Sequence, residues 1–391
     1  MKITSGKIYA LQIPFVEAFG HSVKTRKFSD SFVVRLTAED GSVGYGEGAA
    51  RPFVTGETPQ TSVEYIKRKL FPAIESQDFQ EISAHKNALD SFEQIDEILP
   101  RENFSGGVIY NAARAAIEIA LIDCLLKSQK ISLSEILKPK REYVTYSGVI
   151  TAGKIETAIQ HTKRFKFFGI KQLKIKIGEG DDVSRIAAIR EAVGEEFSLR
   201  LDANGAFDVR TAIEMAEKFS KFGIDAIEQP IPRRSFRDFA EVKKNSPIPV
   251  IADESLVGLE DAKKLTALVA CDFFNLRVSK CGGVLNVLKL ARLAGENKIR
   301  LQIGCQVGET AILSAVGRSV AAFLDEAEFV EGSYGNLLLT EDISRENINF
   351  AHGGRAPVLR GAGSGINVRE EILEKYARET INLGKEKAHY A

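Results

Sequence analysis

The chain has 391 residues, 44% of them apolar and 27% charged, the makeup of a soluble globular protein with two domains or one large barrel carrying additions. Lys plus Arg and Asp plus Glu both number 53, so the formal net charge is zero and no global field exists to hold nucleic acid or an anionic membrane. No run reaches the roughly 18 apolar residues of a membrane span, and the opening MKITSGKIYALQIPF lacks a basic segment followed by a long apolar stretch, so a cytoplasmic location is expected.

The N-terminal part reads first as strands. Ser31-Phe-Val-Val-Arg-Leu, then Asp40-Gly41, then Ser-Val-Gly-Tyr-Gly-Glu47 is the pattern of a hairpin around an Asp-Gly turn. From Thr58 to about Leu137 the period becomes helical, and Asn111 to Lys127 is its strongest element. Strands followed by helices predict a separate α+β domain.

After Lys138-Pro139-Lys140 short β-branched runs alternate with amphipathic segments. Strands are predicted at Tyr143 to Ile150, Ile170 to Ile177, Ser198 to Asn204, Ile224 to Pro230, Ile248 to Ser255, Phe273 to Lys280, Arg300 to Cys305 and Glu328 to Ser333. Helices are expected between them, with Val183, Ile186, Ile189 and Val193 on one face after Asp181-Asp182, and Val284, Val287, Leu288 and Ala291 after Gly282-Gly283. Eight such strands predict a closed α/β barrel. A doubly wound open sheet would carry a glycine-rich phosphate turn after its first strand, and none follows Ile150. The four cysteines, Cys124, Cys271, Cys281 and Cys305, show no C-x-x-C pairing and read as reduced thiols.

Ionisable residues recur at the predicted C-terminal strand ends. Lys176, Asp202, Glu228, Asp253 and Lys280 are separated by 26, 26, 25 and 27 residues, about one βα unit each time. In a parallel barrel such positions ring one mouth, where these folds hold their active sites. Asp202, Glu228 and Asp253 make a hard oxygen site suited to Mg2+, with Mn2+ as the alternative, and their mutual repulsion asks for a cation at the centre. Lys176 and Lys280 flank the carboxylates and are expected to face each other across the metal as acid and base. Lys174, two residues before Lys176 on the same strand face, is either a second positive charge beside Lys176 or part of a solvated edge. Asn204 either orients a ligand or serves as a turn former before Gly205.

Together Lys174-x-Lys176, Asp202-x-Asn204, Glu228-Gln-Pro, Asp253-Glu-Ser and Lys280-x-Gly-Gly283 resemble the muconate-lactonizing-enzyme subgroup of the enolase superfamily. The helix Ala115-Ala-Ile-Glu-Ile-Ala-Leu-Ile-Asp123 and the early Gly44-Tyr-Gly-Glu-Gly48 look like pieces of the same superfamily. The resemblance implies an N-terminal α+β capping domain over residues 1–139, a (β/α)7β modified TIM barrel over 140–342, and a segment 343–391 returning to the cap. It also implies magnesium on Asp202, Glu228 and Asp253, a substrate carboxylate on the metal, and Lys176 with Lys280 as acid and base, supported by Lys174, Asn204, Glu254 and Glu309. A small-molecule carboxylate partner and a homo-oligomeric assembly are expected.

Removing a proton beside a carboxylate puts a second negative charge on the group, which a cation already in place can hold. Two opposed lysines suit a racemase or epimerase acting on an acyl amino acid, a dipeptide or a related derivative. A muconate-type cycloisomerase, a syn-dehydratase and a non-catalytic carboxylate-binding barrel are the alternatives. A metal-dependent aldolase or hydrolase would give no reason for the two lysines. The five histidines, His21, His85, His161, His352 and His389, lie away from the later strand ends, which argues against a histidine base.

Specificity is expected from Phe15 to Thr25, Arg51 to Glu57 and Glu331 to Tyr334. Dipeptide epimerases carry Asp-x-Asp at the eighth strand end to hold an ammonium; this chain has Glu331-Gly-Ser333, which keeps one carboxylate. Gln306-Val-Gly-Glu309-Thr310 departs from the usual Met-Leu-Glu-Gly-Ser type, and Glu309 either reaches Lys280 or is a surface residue. Arg51 either pairs a second substrate anion or is a surface arginine before Pro52.

Overall fold

The computed structural model describes every residue except 22–23, 76, 101–103, 106, 152, 234 and 385–391, and leaves out the side chains of 17–21, 24–26 and 104–105. Strands Ile3–Leu11, Phe32–Ala38 and Val43–Gly48 form an antiparallel sheet. Its hairpin turns at Asp40-Gly41, with Gly41 at φ 85°, as the sequence predicts. The C-terminal strand Ala377–Leu383 completes this sheet by pairing with Ile3–Leu11.

The helix Asn111–Ser128 lies on the sheet, and 111–126 are buried throughout. Its close approach has a cause in the opposing strand. A Cβ on Gly44, Gly46 or Gly48 would stand 2.2 Å from the Ala120 carbonyl oxygen, 2.0 Å from that of Ala116 or 2.5 Å from that of Ala112. Alternate glycines on one face of a strand, against alanines at every fourth helical position, let backbone pack on backbone.

Eight parallel strands follow in chain order: Gly148–Ile150, Gln172–Lys176, Ser198–Asp202, Ile224–Glu228, Val250–Ala252, Phe273–Leu276, Arg300–Ile303 and Ala327–Val330. The Ser147 N–H donates to the Val330 carbonyl at 2.8 Å, joining the two edges of the curled sheet. Helices cover its outside as the periodicity predicts. Asp182–Val193 buries Ile186, Ile189 and Val193, with Asp181 capping it through the Ser184 N–H, and Val284–Glu296 buries Val284, Val287, Leu288 and Ala291.

Two strand expectations are corrected. The run Tyr143 to Ile150 is broken, because Tyr143–Thr145 pairs antiparallel with Arg355–Pro357 and only Gly148–Ile150 joins the barrel. The run Phe273 to Lys280 stops at Leu276, and Val278–Cys281 forms a helical turn, so Lys280 is not at a strand end.

Inside the barrel, side chains stack by the two-residue period of a strand. Ala226, Ile251, Phe273 and Phe329 form a separate apolar plug, and the Arg200 guanidinium lies over the Phe329 ring at 4.2 Å. Above the plug come Arg200, Gln302 and Lys174, and above them the carboxylates.

Buried glutamates join the cap to the barrel at helix N-termini, where free N–H groups need acceptors. Glu47 accepts from the Thr310 N–H at 2.9 Å and the Leu313 N–H at 3.2 Å, and Glu118 from the Leu285 N–H at 3.0 Å. All four cysteines are free thiols. Among the described residues no helix is long and apolar enough to cross a membrane.

Candidate active site

The barrel mouth opens into a cavity of about 490 Å³ lined by Lys174, Lys176, Arg277, Cys305, Glu309, Glu331 and Ser333, among others. Asp202 ends the third strand, Glu228 ends the fourth, and Asp253 follows the fifth by one residue. All three carboxylates are buried. Lys174 places its ammonium 3.0 Å from Asp202, 2.9 Å from Glu228 and 3.1 Å from Glu331. One Arg277 nitrogen bonds both Glu228, at 3.3 Å, and Asp253. These two cations therefore link the three predicted ligands into one arc.

Lys176 lies at the end of the second strand, with its ammonium 2.6 Å from Asp202 and 2.5 Å from the Asn204 side-chain oxygen. Asn204 takes the left-handed conformation, φ 44°, and its amide donates to Glu254 at 3.0 Å. Asn204 thus links the Lys176 ammonium to the Glu254 carboxylate.

Lys280 does not face Lys176. Its ammonium is directed into the wall behind Asp253, donating to the Asp253 carboxylate at 2.7 Å, the Asp253 carbonyl at 2.7 Å and the Asn275 carbonyl at 2.8 Å. Three protons meet three acceptors, and Lys280 is absent from the cavity lining. Arg277 occupies the cavity wall instead, for a reason in the strand period. Phe273 and Asn275 share the inner face of the sixth strand and Arg277, still extended one residue past its end, continues their parity, whereas Lys280 belongs to the helical turn beyond.

The specificity candidates divide. Glu331 lines the cavity, and Lys174 and Arg200, at 3.1 and 3.3 Å, already match its charge. Ser333 also lines it and accepts from Arg318 at 2.9 Å. Arg51 does not line it; its guanidinium holds Asp30 at 3.1 Å, the Ala50 carbonyl at 2.7 Å and the Val307 carbonyl at 2.6 Å. Glu309 is on the cavity wall, accepting from the Gln306 N–H at 2.6 Å, and is neither bonded to Lys280 nor fully exposed. Val16 lines the cavity, while residues 22–23 and the side chains of 17–21 and 24–26 lie outside the described set.

Sequence reasoning missed several residues. Gln229 accepts from the Asp253 and Ser255 N–H groups, both at 3.1 Å, and so orients the fifth strand's end. Asn275 and Gln302 donate to Glu228 at 3.0 and 2.8 Å. His161, on the helix Ile155–Phe167, reaches the cavity from outside the strand ends.

The electrostatics follow from burial and pairing. Burial opposes the Asp202 and Asp253 charges, yet Lys174 and Lys176 hold Asp202 below the ordinary carboxylate range, and Arg277 and Lys280 do the same for Asp253. Burial also works against the Lys174 ammonium, but Asp202, Glu228 and Glu331 outweigh it and keep it charged. Burial first and Asp202 second push Glu228 up to about 7. Burial followed by Asp253 and Asp202 does the same to Glu254, also to about 7. Burial raises Glu309 to about 8.

Among the described residues no three acidic, histidine or cysteine side chains stand close enough to hold an ion as they are placed. Each of the three carboxylates is paired with a lysine or arginine, which offsets their mutual repulsion. The donor set still fits a hard divalent cation. It consists of three buried carboxylates without sulfur or imidazole, and the buried Glu254 Oε2 has no hydrogen-bond partner among the described residues.

Comparison with known proteins agrees with this architecture. Residues 157–372 match the enolase C-terminal domain-like family, and residues 7–137 match the mandelate racemase / muconate lactonizing enzyme N-terminal domain. The chain belongs to that family of the enolase superfamily, in the muconate-lactonizing-enzyme subgroup, and is an isomerase. Enzymes of the family depend on divalent metal.

A hydrophobic dipeptide epimerase from Enterococcus faecalis is 32% identical over 84% of this chain and 88% of its own length. A dipeptide epimerase structure from that organism, complexed with Mg and L-Leu-L-Tyr, aligns with TM-score 0.83 at 29% identity, covering 94% of this chain and 100% of the other. The N-succinyl Arg/Lys racemase structure from Bacillus cereus gives TM-score 0.88 at 27% identity, covering 98% and 100%. Muconate cycloisomerase 1 of Rhodococcus opacus is 25% identical over 97% of this chain and 99% of its own length.

Proposed function

We propose that this chain is a divalent-metal-dependent isomerase that removes the α-proton of a small carboxylate, with Lys176 as the base and an enediolate as the intermediate. The observation that carries the reading is the position of Lys176, at the cavity wall, 2.6 Å from the first of three buried carboxylates and 2.5 Å from Asn204. Asp202, Glu228 and Asp253 are the residues for Mg2+, with Mn2+ able to serve. When bound there, a divalent cation supplies the positive charge that an enediolate needs. Lys174 stays charged and positions Asp202 and Glu228, while Glu254 and Asn204 orient the Lys176 amine.

The substrates named for the relatives, dipeptides and N-succinyl amino acids, give the class to test, and a cavity of about 490 Å³ has room for such a molecule. The test is loss of the α-proton signal when N-succinyl-arginine, N-succinyl-lysine or L-Leu-L-Tyr is incubated in deuterium oxide with magnesium. Exchange in the wild type that Lys176→Ala lowers by a factor on the order of 100 or more supports the reading. Absence of exchange with every compound leaves the non-catalytic barrel as the better account.

A further inference from the structure

The cavity has Lys176 on one side, at the second strand, and Arg277 on the other, just past the sixth. In an eight-stranded barrel those positions lie across the mouth from each other, with Asp202, Glu228 and Asp253 on the three strands between them. Across from Lys176 there is thus a guanidinium and not a second amine. From this placement we infer that the enzyme handles substrate protons on one face only, the Lys176 face, while Arg277 is a permanent cation that holds substrate negative charge on the other.

A racemase that works in both directions needs a group on each face that can both take and give a proton. A guanidinium gives up no proton in a protein, so it cannot alternate between those roles. Its fork is suited to a carboxylate, and here it spans Glu228, Asp253 and Gln306, the last at 3.2 Å. The buried Arg277 Nε–H has no acceptor among the described residues, which leaves a donor for a ligand oxygen.

Other proton carriers line the cavity, and their positions differ. His161 comes from the helix just before the second strand, on the Lys176 side. Cys305 and Glu309 follow the seventh strand and bond none of the three ligand carboxylates, whereas Arg277 bonds two. Lys280 is spent on Asp253 and Asn275.

With Arg277 as the group against the ligand carboxylates on the far side, the chemistry is one-sided. The α-proton moves to the Lys176 amine and its electron pair enters the enediolate; a proton from the same ammonium then returns to the same face. In deuterium oxide the starting stereoisomer is regenerated, carrying label. An isomerisation that makes and breaks its bonds on that face, such as ring opening or closure, fits this arrangement, and inversion does not.

The inference rests on the proton abstraction proposed above, and the experiment separates the two. Both α-stereoisomers of N-succinyl-arginine, N-succinyl-lysine and Leu-Tyr are incubated with magnesium-loaded enzyme in deuterium oxide, with label followed by proton NMR and configuration by chiral chromatography. Label entering one stereoisomer of a pair without inversion is the expected result. Arg277→Lys, which puts an amine across from Lys176, is expected to raise inversion on the order of 100-fold over wild type. Inversion by the wild type at a rate comparable to exchange overturns the one-face inference and leaves proton abstraction standing. No exchange in any compound overturns the abstraction, and the inference with it.

Discussion

Replacing Lys280 by methionine tests whether this lysine is a wall residue or an acid–base group. The substitution keeps most of the aliphatic volume and removes an ammonium whose three hydrogen bonds, at 2.7, 2.7 and 2.8 Å, go to the Asp253 carboxylate and to two carbonyls. The side chain is 1% exposed, so water does not replace those bonds. Breaking a buried pair from one side costs about 3–5 kcal/mol. At the usual unfolding entropy of about 2 cal/mol/K per residue, a cooperative transition of the whole chain moves down by about 4–6 °C. Differential scanning calorimetry in chelator is the assay. In saturating magnesium the gap narrows, because the site without the ammonium is more negative and binds the cation more strongly. Melting that is unchanged in chelator, together with loss of turnover, would refute the wall assignment and return Lys280 to a proton-transfer role.

Further outcomes follow from packing and titration. Gly46→Ala puts a methyl 2.0 Å from the Ala116 carbonyl oxygen and destabilises the cap by about 3 kcal/mol or more, read by denaturant unfolding. Gly295→Ala, within the helix Val284–Glu296 and with nothing inside 4 Å, stabilises by roughly 0.5–1 kcal/mol in the same assay. Glu57 accepts from the Ala112 and Ala113 N–H groups at 2.9 and 2.8 Å, and burial pushes its carboxyl up to about 7. Its folded form therefore binds a proton more tightly than its unfolded form. The resulting stability is full below pH 4.5, the unfolded value, and is lost as pH rises through about 7. Glu57→Gln removes that slope; unfolding midpoints measured from pH 4.5 to 8 that keep it would contradict the assignment.

The fold was legible in the sequence because its signals are local. The Asp40-Gly41 turn, the alanine-rich helix, and the regular alternation of strands and amphipathic segments each report their own conformation. The break at Tyr146 was not legible, because it depends on the Tyr146 N–H finding the Gly354 carbonyl, 208 residues away in sequence, at 2.8 Å. The carboxylates were found from their spacing by βα units. That spacing misplaced Lys280, since helix and loop lengths vary by a few residues between units. Strand parity would have done better. Asn275 faces inward, so Arg277 must as well, and a residue three further on lies past the strand's end. Arg51 reads from the sequence as either an anion site or a surface arginine before Pro52, and it is buried instead, because its partners Asp30 and Val307 come from distant segments. The supporting amides Gln229, Asn275 and Gln302 carry no pattern of their own, though the last two share the inner parity of their strands.

Asp202, Glu228 and Asp253 are proposed to share one divalent cation beside Lys176. Crystals grown with manganese, with an anomalous difference map calculated at a wavelength where manganese scatters strongly, test it most directly. One peak is expected at oxygen-ligand distance, about 2.2 Å, from all three carboxylates, with the Arg277 guanidinium moved off Asp253. A peak elsewhere, or none while Arg277 still bridges Glu228 and Asp253, would contradict it.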